Sequence, residues 1–199
     1  MSKNPLLSSF NEAPFSKIKS EHFKPAIESG IAEARAELEV ITANSEGATF
    51  ENTIEALEFT GKHLQRVTSI FFNLNAAETN PEIQQIAQEI SPILTQFHND
   101  ITLNEALFER VKHVYENQDQ SLLTEEQKTL LDKKFKHFFR NGAMLLEDDK
   151  AKLRKIDERL AKLKLQFGEH VLAENNAYEL WIQDESDLAG LPESIIEAA

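Results

Sequence analysis

Residues 152–167 read KLRKIDERLAKLKLQF. Leu153, Ile156, Leu160, Leu163 and Phe167 alternate spacings of three and four, which lines them along one seam of an α-helix in the manner of a coiled coil. Glu147, Asp148 and Asp149 stand just ahead of the run, where negative charge suits the positive end of the helix dipole. This is the most regular of several such stretches. Together they predict a mainly α chain, an antiparallel, bundle-like array of about six to seven helices with a short strand near the C-terminus.

N-terminal to that run, the same periodicity recurs with different punctuation. Phe23, Ile27, Ile31, Ala34, Leu38 and Ile41 share one helix face, with Pro25 in the first turn, where a missing N–H is harmless. Residues 44–48 break the pattern and include Gly47. Thr49 is placed to cap a helix carrying Ile54, Leu57, Leu64, Val67, Ile70, Phe71 and Leu74. Gly61 interrupts it, an expected point of close helix crossing. Asn80-Pro81 is a cap followed by proline at the first helical position. Ile83, Ile86, Ala87, Ile90, Ile93, Leu94, Phe97 and Ile101 follow, with a kink expected at Pro92. Asn104 caps a shorter stripe of Leu107, Phe108, Val111, Val114 and Tyr115. Thr124 to Gln127 has the form of a capping box and opens a helix with Leu130, Leu131, Phe135, Phe138 and Phe139, ending near Asn141-Gly142.

C-terminal to the seam, the period changes. Tyr178, Leu180 and Ile182 alternate with Glu179, Trp181 and Gln183, a strand pattern. A turn is expected over residues 184–187. Leu188-Ala189-Gly190-Leu191-Pro192 follows, and residues 194–199 read as the opening of another helix. A chain that stops inside an opening helix is expected to be part of a larger fold. Three divisions result: an extended segment over 1–19, a helical domain over 20–177, and a strand, a turn and a truncated element over 178–199.

Composition narrows the function. The 199 residues are 41% hydrophobic and 28% charged, the balance of a soluble globular protein. A net charge of -13 opposes nucleic-acid and anionic-membrane partners, both of which need a basic face. Cysteine is absent, so disulfides, thiolate metal sites and cysteine nucleophiles are excluded. There is no apolar run of signal-peptide or membrane-span length, and the cytoplasm is the expected location.

The side chains that carry chemistry are dispersed. Six histidines are present, His22, His63, His98, His113, His137 and His170, and no two stand four apart. Two imidazoles on one helix face with a Glu between them, the arrangement of a zinc peptidase, are therefore missing. His170 and Glu174 are four apart and would meet on a helix, where an ordinary side-chain pair is the plainer reading. Glu147, Asp148 and Asp149 lack the alternation and the glycine of a calcium loop. Lys133, Lys134, Lys136 and Arg140 interleave with Phe135, Phe138 and Phe139. That mixture suits base stacking, but at helical spacing the rings are core residues. Phosphate-binding glycine loops and Gly-x-Ser-x-Gly elbows are absent. No catalytic, metal-ligating or cofactor-binding residue is assigned to these 199 positions.

Several ordered segments resemble the start of the M3 peptidases, the family of thimet oligopeptidase, oligopeptidase A and peptidyl-dipeptidase. They are Asn4-Pro5-Leu6-Leu7 with Pro14-Phe15 and Glu21-His22-Phe23; Thr49-Phe50-Glu51-Asn52-Thr53-Ile54; Arg66-Val67-Thr68-Ser69-Ile70-Phe71-Phe72 with Ala76-Ala77-Glu78-Thr79-Asn80; Asn99-Asp100-Ile101 with Leu107-Phe108 and Arg110-Val111; and Leu188 to Pro192. The third and fourth segments favour the peptidyl-dipeptidase branch. The resemblance implies a helical channel wall in a larger enzyme that takes short peptides and releases C-terminal dipeptides. It also implies zinc held by a His-Glu-x-x-His helix in a C-terminal catalytic domain beyond Ala199. On this reading the 199 residues alone are inactive, expose an apolar patch from their Phe-rich helices, and form a dimer through it. A stand-alone helical peptide- or protein-interaction module of the same ancestry is the alternative.

Overall fold

The computed structural model describes residues 4–8 and 10–197. Among them every regular element is helical: α1 Phe23–Thr42, α2 Ala56–Phe59, α3 Lys62–Ala77, α4 Pro81–Thr102, α5 Glu105–Asn117, α6 Glu125–Arg140, α7 Glu147–Ala177 and α8 Glu193–Ile196. Single 3-10 turns form at Pro5–Leu7, Phe15–Lys17 and Ser20–His22. The chain divides into two compact units, Met1–Leu163 and Lys164–Ala199.

The helix starts follow the polar punctuation. Asn80 accepts from the Ile83 N–H at 3.0 Å, and Asn104 from the Leu107 N–H at 2.9 Å. Thr124 and Gln127 cap each other reciprocally at 2.9 and 3.2 Å. Each bond satisfies an amide that the first helical turn leaves unpaired. Thr49 caps as expected, but with Asn52 as its reciprocal partner, and it opens a π-helical segment at Phe50–Glu55 that runs into α2. Gly61, at φ 71°, separates α2 from α3. The close crossing expected there lies elsewhere. A Cβ on Gly61 would stand 3.5 Å from the Ala34 Cβ, whereas one on Gly30 would meet the Leu64 Cα at 3.0 Å. The bare backbone of Gly30 is what lets α1 lie against α3. Helix α4 runs through Pro92.

The core of the first unit is built largely from the predicted stripes, with Phe50 added from outside them. Ile41, Phe50, Ile54, Leu107, Phe108, Val111, Val114, Leu131 and Phe138 pack as one buried cluster. Phe23 meets Phe71 edge to face at 5.0 Å, joining α1 to α3. Tyr115 and Phe135 stack at 4.0 Å, joining α5 to α6. Full burial of such side chains contributes roughly 1.5–3 kcal/mol each.

In the second unit the expected strand does not form. Residues 178–184 have no regular structure, and the turn after them is a 3-10 turn, Glu185–Leu188. A strand is held by ladder bonds to a neighbouring strand, and there is no strand among the described residues to supply them. The Trp181 indole instead donates to Glu179 Oε2 at 2.9 Å. The expected last helix is the short α8, and Ala198 and Ala199, read as part of it, lie outside the described residues.

Candidate functional site

In the first unit, α7 is anchored by its polar side chains. Lys150 is buried, 4% exposed, and bonds Glu147 within α7 at 3.0 Å; the fastening to another helix comes from Arg154. Arg154 Nη1 reaches Asp100 Oδ1 at 2.6 Å, and the other oxygen of Asp100 takes Arg35 Nη2 at 2.5 Å. One carboxylate on α4 therefore holds both α1 and α7, and charge-assisted bonds of this kind are about twice as strong as neutral ones. With α7 fixed by its polar face, the predicted seam stays open: Ile156 is 60% exposed and Leu163 49%.

Where α7 starts, it closes a groove of about 610 Å³ against α4 and the end of α6. The floor is apolar, with Phe139, Met144, Leu145 and Leu153. Thr102, 2% exposed, lines it from α4, its hydroxyl satisfied by the His98 carbonyl at 2.9 Å. Gly142, at φ 94°, forms part of the wall. A Cβ there would reach Leu153 at 2.8 Å and Leu145 at 2.9 Å. Arg140 and Asp157 also line the groove. His98 lines it too, and its ring meets that of His137 at 5.7 Å. His137 is held below the usual histidine range, first by partial burial and then by the neighbouring His98 and Lys134. The arrangement can grip an apolar side chain; it offers no activated nucleophile.

The pairs and clusters flagged in the sequence are spread over α6 and α7. His170 and Glu174 are both exposed on α7 in the second unit. Glu147, Asp148 and Asp149 form the first turn of α7, and Asp149 pairs with Lys152 at 2.7 Å. Lys134 pairs with Glu58, and Lys136 with Asp132, each at 2.8 Å. Phe138 is buried and Phe135 packs against the core, while Phe139 is 53% exposed in the groove. The exposed apolar surface thus comes less from the Phe-rich α6 than from the turn after it and from α7. Among the described residues there is no group of three or more His, Asp or Glu able to hold a metal ion. No helix among them is long and apolar enough to cross a membrane.

Two polar constellations were not anticipated. Arg110 Nη1 donates to the carbonyls of Asn44 at 2.9 Å and Glu46 at 3.2 Å, and its Nη2 donates to Asn52 Oδ1 at 3.1 Å. It thereby ties the loop after α1 to α5. His63 Nδ1 lies 2.8 Å from Glu33 Oε2, and its Nε2 lies 2.8 Å from the Leu6 carbonyl. Burial pulls the His63 pKa down, but the Leu6 carbonyl and Glu33 outweigh it, and the net shift is upward. Arg66 adds a bond to the Phe10 carbonyl at 3.2 Å and covers the Phe10 ring. Spacing gives no signal for such pairs, whose members are tens of residues apart in the chain.

The family model described as the neurolysin/thimet oligopeptidase N-terminal domain matches residues 27–152. The chain is 39% identical to a dipeptidyl carboxypeptidase of Salmonella typhimurium, over all of this chain and 30% of that protein. It is 38% identical to a dipeptidyl carboxypeptidase of Escherichia coli, over 93% of this chain and 27% of that protein. To an oligopeptidase A of Salmonella typhimurium it is 30% identical, over 98% of this chain and 29% of that protein. The chain thus spans less than a third of the length of these relatives.

Proposed function

This chain belongs to the M3 peptidase family as its neurolysin/thimet oligopeptidase N-terminal domain, and from that membership we propose that it forms one wall of the channel through which a zinc-dependent peptidase admits short peptides. The observation that carries the reading is the coverage: nearly the whole chain aligns with relatives named as peptidases, over less than a third of their length. The relatives named dipeptidyl carboxypeptidase favour release of dipeptides from the C-terminal end. The reading draws support from a helical scaffold whose caps, ion pairs and core hold an apolar groove suited to a substrate side chain. Among the described residues no group of side chains fits a zinc ion, so no step through the metal is assigned to them. Zinc, the general base and the water-activating chemistry belong, on this proposal, to a His-Glu-x-x-His helix in a C-terminal catalytic domain of the same chain, and the enzyme works in the cytoplasm.

The test is an assay of the full-length protein on short peptides with free C-termini. Dipeptide release abolished by a chelator and restored by zinc is expected. The 199-residue chain alone is expected to bind no stoichiometric zinc and to cleave nothing. Cleavage indifferent to chelation, or cleavage by the 199-residue chain, overturns the proposal. The open seam of α7 favours a second reading, a stand-alone interaction module, which instead predicts saturable peptide binding by the 199-residue chain without any downstream domain.

A further inference from the structure

Within the first unit, Ile156, Leu160 and Leu163 project from α7 with 60, 45 and 49% of their surface exposed. Spacings of three and four are what a second helix needs to pack its own ridges along the first. A lone exposed leucine is unremarkable on a protein surface, but a row at this spacing on one helix marks a contact face. The charge around the row is predominantly basic, with Asp157 and Glu158 as the acidic exceptions. Residues 150–163 carry six basic and two acidic side chains, in a chain whose net charge is -13. Lys150, Lys152, Arg154 and Lys162 are each matched by a carboxylate. Lys155 and Arg159 have no ion-pair partner among the described residues.

We propose that this seam seats an amphipathic helix with acidic flanks, supplied by the polypeptide that follows this domain in the longer proteins of the family. The proposal rests on the reading of the chain as an N-terminal domain. Length supplies the source, since the chain accounts for 30% of the dipeptidyl carboxypeptidase of Salmonella typhimurium and 29% of its oligopeptidase A. Charge selects the occupant. A second copy of α7 would set lysine and arginine flanks against their like, which is repulsive across a helix pair. An anionic membrane or a nucleic acid would be repelled by the rest of the surface. A partner helix with Glu or Asp beside its apolar row meets both the seam and the unmatched cations.

Hydrogen exchange compares the full-length protein with the 199-residue chain. Amides of residues 153–163 are expected to exchange at least about tenfold more slowly in the full-length protein, as covered helices do. Leu160→Asp should return them to the rate of the short chain, and Arg159→Glu should do so partially. Because Leu160 is about half exposed, the isolated variant should keep the helical circular dichroism of the parent. Equal exchange in both proteins overturns the proposal, as does a reading frame that stops at Ala199. So does a dimer of the 199-residue chain, or its binding to phosphatidylserine vesicles, if Leu160→Asp abolishes it. Chelator-sensitive peptidase activity is measured in parallel; its absence sinks the peptidase reading and leaves the exchange data to decide the seam.

Discussion

At His63 one imidazole faces an acceptor on each side, the carboxylate of Glu33 and the carbonyl of Leu6. Only the doubly protonated ring donates to both, and its pKa is raised in the folded chain. The stabilisation is therefore complete below the unfolded value of about 6.5 and is lost as pH rises through the higher folded value. Thermal unfolding followed from about pH 5.5 to 8.5 should show a decline in stability that His63→Gln flattens; an unchanged profile in the variant would remove His63 as its source. The single-residue features legible in the sequence were the caps at Asn80, Asn104 and Thr124, because a cap is set by side chains within three positions. His63 was legible only as a histidine lacking a zinc-site partner. Its acceptors come from a 3-10 turn and from α1, and only the assembled fold brings them to it.

Helix α1 lies against α3 through Gly30, whose absent side chain leaves room for the Leu64 backbone. Gly30→Ala should cost about 1–3 kcal/mol by overpacking, although alanine is the better helix former. Urea denaturation with an unchanged m-value would measure it, and a variant as stable as the parent would show that the crossing relaxes freely. The sequence placed the crossing at Gly61, where a helix was visibly interrupted. A glycine inside an unbroken stripe, as at Gly30, gives no such signal, since its purpose is the shape of a neighbour. The stripes themselves foretold α1, α4, α5 and α6 well, because their apolar faces are the ones buried. The stripe of α7 foretold the helix but not its setting. Lys150 and Arg154 turn the polar face inward, and periodicity does not say which face a salt bridge will claim. Residues 178–183 had strand alternation without a strand to join, and alternation specifies a face more firmly than it specifies a partner.

Across the whole molecule, segments that resemble the peptidase family one by one come together in space. Asn52, from the segment that begins at Thr49, and Arg110, from the segment that includes Leu107 and Phe108, share a hydrogen bond across 58 positions. Asp100 joins α4 to helices that begin at Phe23 and Glu147. Much of what made the sequence recognisable is thus the fastening of the scaffold. The Arg110 fastening also has a consequence for engineering. Surface connections usually accept inserted sequence, and residues 44–48 form such a connection, with open space around Gly47. Yet the carbonyls of Asn44 and Glu46 both accept from one nitrogen, Nη1 of Arg110. An epitope tag inserted between them should lower the melting temperature by several degrees, whereas the same tag between Gln118 and Asp119, beyond the end of α5, should not. The loop that looks most permissive for grafting is the one that will report, as lost thermal stability, every residue added to it.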